Sequence, residues 1–88
     1  MKTESLPIVT AAQIRAARAF LELSQGELAD RAGVGRSAVA DFERGARIPH
    51  DSTLRKIEAA FQSLGVELLF DGMRGVGIRI ASVDRYDG

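Results

Sequence analysis

Residues 24–45, SQGELADRAGVGRSAVADFERG, constrain the fold more than any other stretch of the chain. Ser24 followed three residues later by Glu27 is the pattern of a capping box, in which each side chain binds the other residue's backbone N–H at a helix start. Gly33 is expected to end this helix, because glycine readily adopts the left-handed conformation found just after helices. A second helix is expected to begin at Arg36 and to end where Gly45 supplies the same conformation. The stretch therefore predicts two short helices joined by a tight turn.

The two predicted helices each have an apolar and a polar side. The apolar positions, which would hold the helices together, are Leu28, Ala29, Ala32, Val34, Val39 and Phe42. The outer side of the second helix carries Arg36, Ser37, Ala40, Asp41 and Arg44. A short helix with such an outer side has the form of a helix that is presented to the major groove of DNA.

The sequence LSQGELADRAGVGRSAVADFERG resembles the helix-turn-helix of the XRE family, the Cro- and CI-type regulators. The residues that fall at the spacing of the family are Gln25, Leu28, Ala29, Gly33, Val39, Phe42, Glu43, Arg44 and Gly45. The resemblance extends over residues 10–65. It implies a mainly α fold, a four- to five-helix Cro/CI-type (lambda-repressor-like) DNA-binding domain, and here a C-terminal β-hairpin follows that domain.

The same resemblance assigns roles to individual side chains. Residues expected to read base edges are Arg36, Ser37 and Asp41, and residues expected to contact phosphates are Gln25, Arg44 and Arg47. Arginine bound through two hydrogen bonds to guanine is the commonest specific contact of this kind. Asp41 departs from the commoner neutral or basic residue, and would repel phosphates unless it accepts from cytosine or pairs with Arg36 or Arg44.

Arg18 lies along the apolar stripe of the first helix, where a cation must reach water or meet a carboxylate. The resemblance pairs Arg18 with Glu43 in a partly buried salt bridge. We expect this pair to be structural and to tie the first helix to the helix that begins at Arg36.

Two further helices are predicted on either side of the central stretch. The first begins with a capping box of Thr10 and Gln13 and continues through Leu21. The fourth should begin around Asp51 or Ser52, capped by their short polar side chains, and should end at residue 65.

Residues 66–81 change to the two-residue period of β-strands. Apolar residues alternate at Val66, Leu68 and Phe70, residues 71–75 form a turn, and alternation resumes at Val76 and continues to residue 80. A lone hairpin is marginal in water and exposes its edges, so we expect it to join two copies of the chain in a two-fold dimer. The alternative is a hairpin folded onto its own helices in a monomer. The expected organisation is a flexible N-terminus (1–8), a DNA-binding domain (9–65), a dimerisation hairpin (66–81) and a flexible tail (82–88).

The composition argues against several other classes of protein. Twelve basic and twelve acidic side chains give zero net charge, which disfavours binding nucleic acid by bulk electrostatics. The chain has no cysteine and one histidine, so neither a metal site nor a disulfide is expected. We find no nucleophile with a base and no phosphate loop, and therefore predict no catalytic residues, no cofactor and no enzyme activity. The absence of a long apolar run and of a signal-peptide pattern predicts a soluble cytoplasmic protein without membrane contact.

These observations favour a sequence-specific double-stranded DNA-binding transcriptional regulator, a repressor, that acts as a homodimer on an inverted-repeat operator. Two alternatives remain open. One is an antitoxin that represses its own operon and binds a toxin partner. The other is a protein-interaction module that has lost DNA binding, a hypothesis to which the zero net charge and Asp41 lend weight.

Overall fold

The computed structural model describes residues 8–81 as four helices followed by one antiparallel hairpin. The elements are α1 (Ala11–Leu21), α2 (Gln25–Ala32), α3 (Arg36–Glu43), α4 (Asp51–Ser63), β1 (Val66–Asp71) and β2 (Arg74–Ile80). The expectations for residues 1–7 and 82–88 lie outside the described residues. Of the four to five helices expected for the DNA-binding domain, residues 8–81 contain four, and the predicted C-terminal hairpin follows them.

Helices α1 and α2 begin with the two capping boxes that the sequence predicts. The Thr10 hydroxyl accepts from the Gln13 backbone N–H at 3.1 Å, and Gln13 Oε1 accepts from the Thr10 backbone N–H at 2.9 Å. Ser24 and Glu27 make the equivalent bonds at 3.0 and 2.8 Å. The hydrogen bond from the Ser24 backbone, followed by that from its hydroxyl, lowers the pKa of the Glu27 carboxyl. Both predicted helix starts are confirmed.

The start of α4 differs from the prediction in one respect. The helix begins at Asp51, but His50 occupies the N-cap position and makes no side-chain capping bond. The expected capping by the side chain of Asp51 or Ser52 is therefore wrong. Asp51 lies one position further in, where its charge faces the positive end of the helix dipole. The helix ends at Ser63, before Gly65 adopts a positive φ of 88°.

The core lies between the helices and one face of the hairpin. Strand β1 packs against α4 and strand β2 packs against α1. The buried apolar residues are Val9, Ile14, Ala17, Leu28, Ala29, Val39, Phe42, Leu54, Ile57, Ala60, Phe61, Val66 and Leu68. This shared core fixes the hairpin to the helical domain.

The hairpin turn is shorter than predicted. Asp71 pairs with Arg74, so only Gly72 and Met73 form the loop, instead of residues 71–75. Gly72 has a φ of 64°, the positive value that a type II′ turn needs at its first central position. The strands consequently extend further toward the tip than the alternation of apolar residues indicates.

A β-bulge interrupts the pairing in the middle of the hairpin. Leu69 pairs with Gly77 but Phe70 pairs with Gly75, so Val76 has no partner in the register. Val76 is 54% exposed. The prediction that Val76 continues the apolar face of Ile78 is therefore wrong, because one extra residue in β2 breaks the two-residue period.

Gln13 connects the start of α1 to this bulge. Its side-chain nitrogen donates to the backbone oxygens of Leu69, at 2.7 Å, and Gly77, at 3.0 Å. The residue is 3% exposed, so these bonds are made away from water. A side chain on Gly75 would overlap the Gln13 oxygen, which explains the glycine at that position. Gln13 thus acts in the capping box and in the attachment of the hairpin.

Ile8 belongs to the segment expected to be flexible, yet it contacts the hairpin. Its backbone N–H donates to the Met73 carbonyl at 2.9 Å, and it forms an isolated parallel bridge with Arg74. The tip of the hairpin is thereby linked to the residues that precede α1. Within residues 8–81, no helix is both long and apolar enough to cross a membrane.

Candidate nucleic-acid interface

Helices α2 and α3 form a closely packed pair. Leu28 and Ala29 are buried on α2, and Val39 and Phe42 are buried on α3. Alanine at position 29 is 1% exposed, and its small side chain allows the two helices to approach each other. Gly33 joins them with a φ of 71°. This pair is the two-helix unit that residues 24–45 predict.

The side of α3 opposite its buried residues faces outward. Arg36 and Ser37 are exposed on the first turn, Asp41 is partly exposed one turn later, and Arg44 and Arg47 are exposed beyond the helix end. The structure therefore brings the three expected base-reading residues to one side of α3. No part of residues 8–81 buries Arg36 or Ser37.

Arg18 and Glu43 form a bidentate ion pair between α1 and α3. Arg18 Nε donates to Glu43 Oε2, and Arg18 Nη2 donates to Glu43 Oε1, both at 2.7 Å. Their side chains are 21% and 4% exposed, respectively. The pair thus lies at the boundary of the core, with the carboxylate on the inner side.

The electrostatic surroundings favour the charged form of both partners. Burial alone would raise the pKa of the Glu43 carboxyl, but hydrogen bonds from Arg18 and Gln25 outweigh it and lower the pKa. The hydrogen bond to Glu43 likewise raises the pKa of Arg18. The charges and hydrogen bonds therefore offset the cost of removing the carboxylate from water.

The side chain of Gln25 is bound within the protein, although the resemblance implies that Gln25 contacts phosphate. Its side-chain nitrogen donates to Glu43 Oε1 at 3.1 Å, so the amide points toward the ion pair. Gln25 is also the first residue of α2, where backbone N–H groups point out of the helix end. The side chain consequently links the first turn of α2 to α3.

Arg15 is a residue of this network that the sequence analysis missed. Its Nη1 donates to the backbone oxygen of Glu43 at 2.8 Å, at the C-terminal end of α3. A cation is favourable there because the helix dipole is negative at that end. Twenty-eight positions separate the two residues, and no local pattern identifies such a contact.

Asp41 pairs with Arg44 on the exposed side of α3. Arg44 Nη2 lies 2.7 Å from Asp41 Oδ1, and the two side chains are 68% and 27% exposed. This is one of the pairings that would make an acidic residue tolerable near phosphates. Arg36, the other candidate partner, instead lies over Gly26 of α2.

Within residues 8–81, no group of three or more histidine, aspartate, glutamate or cysteine side chains is placed so that it could hold a metal ion. The side chains gathered at α3 are suited to hydrogen bonding and charge pairing with a polyanion.

Comparison with known proteins agrees with this geometry. A family model described as "Helix-turn-helix" matches residues 14–69, which is well over half of the chain. The matched region runs from the first turns of α1 into β1 and contains α2, α3 and α4 entirely. A search of curated proteins found no match. The family match confirms the resemblance seen in the sequence, and the chain belongs to the XRE-type (Cro/CI-type) helix-turn-helix family of DNA-binding regulators.

Proposed function

We propose that this regulator is a sequence-specific transcriptional repressor that binds an inverted-repeat operator as a homodimer. The observation that carries the proposal is the uncovered polar side of α3, with Arg36 and Ser37 exposed on its first turn. In helix-turn-helix proteins, the N-terminal residues of the second helix of the unit contact base edges in the major groove.

Base reading is assigned to Arg36, Ser37 and Asp41. Arg36 carries a forked set of donors that matches guanine, and Ser37 can donate or accept. Asp41 is held by Arg44, so its charge is compensated while DNA approaches. An acceptor at this position can receive a hydrogen bond from the amino group of cytosine.

Phosphate binding is assigned to the cations that follow α3 and to the start of α2. Arg44 and Arg47 are exposed beyond the end of α3, where they flank the base-reading side chains. Gln25 supplies the backbone N–H at the first position of α2, on the positive end of that helix. Since the whole chain has zero net charge, these local cations must supply the attraction to DNA.

The homodimer is supported by the distribution of exposed apolar side chains. Of the six large apolar residues exposed within residues 8–81, Ile8, Leu69, Met73 and Val76 lie on the hairpin or are bridged to it. We call these four residues the hairpin patch. A second copy that presents the same patch across a two-fold axis would remove it from water.

Selecting duplexes from a random pool with the purified full chain tests the proposal. We expect enrichment of an inverted repeat whose half-site centres lie about 10 base pairs apart, or a multiple of the helical repeat. A reporter promoter that overlaps the enriched site should be expressed less when the protein is present. Failure to enrich any sequence at low salt would reject DNA reading, and enrichment of a single unrepeated half-site would reject the homodimer.

A further inference from the structure

Gly26, the second residue of α2, lies directly beneath the guanidinium group of Arg36, the first residue of α3. A Cβ atom placed on Gly26 would lie 2.6 Å from Arg36 Nη2, 2.7 Å from Nε and 2.8 Å from Cζ. These three distances are nearly equal, so Nη2, Nε and Cζ together, rather than a single nitrogen, cover the glycine. Any side chain at position 26 would occupy that space.

The Arg36 guanidinium can occupy its observed position only if residue 26 has no side chain. Within residues 8–81, no hydrogen bond or ion pair holds the Arg36 guanidinium, unlike that of Arg44, which is tied to Asp41. Its donors consequently remain available to a ligand. Gly26 permits the group to lie over α2, because only a residue without a side chain leaves room for it there.

We propose that Gly26 is a positioning residue of the DNA site, whose missing side chain lets the Arg36 guanidinium lie over α2 and meet a base from there. This inference rests on the proposed function, since it requires Arg36 to read DNA. A bidentate contact between arginine and guanine needs both donors in the plane of the base. A guanidinium displaced from its place over α2 approaches the groove from another direction and loses that alignment.

Replacing Gly26 with alanine isolates this effect from folding. The atoms that the new methyl group meets belong to the flexible end of a long side chain, so Arg36 moves and the backbone does not. Gly26 is helical and is not among the glycines with positive φ. Alanine is favoured over glycine in a helix, so Gly26→Ala should keep or raise the melting temperature.

The test uses the full chain and the duplex that the unsubstituted protein enriches from a random pool. Affinities are measured for the unsubstituted protein, Gly26→Ala, Arg36→Ala and the double variant, on that duplex and on duplexes with each base changed. We expect Gly26→Ala to weaken binding about five-fold or more and to relax the preference at one base position, as loss of a bidentate contact does. In the Arg36→Ala background, Gly26→Ala should produce no further change.

Three outcomes would overturn the inference, and they are distinguishable. If Gly26→Ala keeps both affinity and base preference while Arg36→Ala loses them, Arg36 reads DNA without help from Gly26. If Gly26→Ala weakens binding equally in both backgrounds, the methyl group obstructs DNA directly. If the unsubstituted protein enriches no duplex, the proposed function fails and this inference fails with it.

Discussion

At the scale of single residues, Glu43 is the point at which the first three helices meet. Arg18 of α1 and Gln25 of α2 both donate to its carboxylate, while Arg15 donates to its backbone oxygen. Because Glu43 is the last residue of α3, these bonds fix the end of the helix whose outer side we propose to read DNA. The bonds to this one carboxylate therefore act together with the buried Val39 and Phe42 in orienting α3 against α1 and α2.

Removing Glu43 should destabilise the fold strongly. Glu43→Ala leaves the Arg18 cation partly buried without its partner, and we expect a loss of about 3–5 kcal/mol in the free energy of unfolding. Urea denaturation of Arg18→Ala, Glu43→Ala and the double variant measures the coupling between the two side chains. The exposed pair of Asp41 and Arg44 is the matched control, for which we expect a coupling of about 1 kcal/mol or less. A coupling near zero for Arg18 and Glu43 would show that their pairing contributes nothing.

Acid should lower the free energy of unfolding through the same carboxyl group, that of Glu43. The pKa of Glu43 is lowered in the folded protein, so the unfolded chain binds a proton at a higher pH than the folded protein does. Its contribution is complete above the unfolded pKa of about 4.3 and is lost as the pH falls through the lower folded pKa. This loss is measured as the free energy of unfolding, by denaturation at a series of pH values from neutral to well below the unfolded pKa of about 4.3. Glu43→Gln should flatten the acid limb, and an unchanged slope in that variant would assign the acid sensitivity to other groups such as Glu27.

At the scale of secondary-structure elements, the features that could be predicted are those encoded within a few neighbouring residues. The capping boxes that begin at Thr10 and Ser24 join groups three residues apart, so the sequence alone specifies α1 and α2. The bulge at Val76 depends instead on how two strands align and on what packs against them. The apolar alternation continues across the bulge in the sequence, and the local signal is the pair Gly75 and Gly77 on either side of Val76, since glycine inside a strand often marks a bulge.

In the candidate site, too, the features set by neighbouring residues could be predicted and the features set by packing could not. The helical period places Arg36, Ser37 and Asp41 on one side of α3, and this follows from the sequence. The direction of the Gln25 amide and the contact from Arg15 depend on the packing of three helices, which residue spacing does not specify. The family resemblance supplied the pairing of Arg18 with Glu43 across 25 positions, which local chemistry alone could not identify.

Gln13 offers a test of how the helices hold the hairpin. Gln13→Ala leaves the Leu69 and Gly77 carbonyls without their donor in a buried setting, and we expect a loss of about 1–3 kcal/mol in the free energy of unfolding. Thr10→Ala is the matched control, because it removes the capping hydroxyl and keeps both bonds to the hairpin. Amide hydrogen exchange should therefore accelerate in β1 and β2 for Gln13→Ala more than for Thr10→Ala. Equal exchange in the two variants would show that the core alone holds the hairpin.

At the scale of the whole molecule, the proposed DNA-reading side of α3 and the hairpin patch lie on different elements. Helix α3 packs against α1 and α2, whereas the hairpin packs against α1 and α4. Helix α1 contacts both, through Arg18 toward α3 and Gln13 toward the strands. Contact between two copies through the hairpin would therefore leave the outer side of α3 available to DNA.

A charge placed in the hairpin patch should separate the two copies. Val76 is 54% exposed, so Val76→Glu should leave the fold intact while a carboxylate is forced into the contact between copies. We expect light scattering to show a dimer for the unsubstituted protein and a monomer for the variant at tens of micromolar. The variant should also bind an inverted repeat no more tightly than a single half-site. Gln62→Glu, at an exposed position of α4, adds the same charge elsewhere and should stay dimeric. A monomeric unsubstituted protein, or a dimeric Val76→Glu variant, would place the contact between copies elsewhere or rule it out.

The double use of Gln13 has a consequence for protein engineering. Consider a chimera in which only the two strands are transferred to another DNA-binding domain. Its bulged hairpin would leave the backbone carbonyls of Leu69 and Gly77 without a hydrogen-bond donor. The glutamine and the facing Gly75 would have to travel with the strands as a set, because the amide fills the space that the glycine leaves. The hairpin therefore cannot be transferred by itself. The first turn of α1, which carries Gln13, has to be built into the first helix of the recipient domain as well.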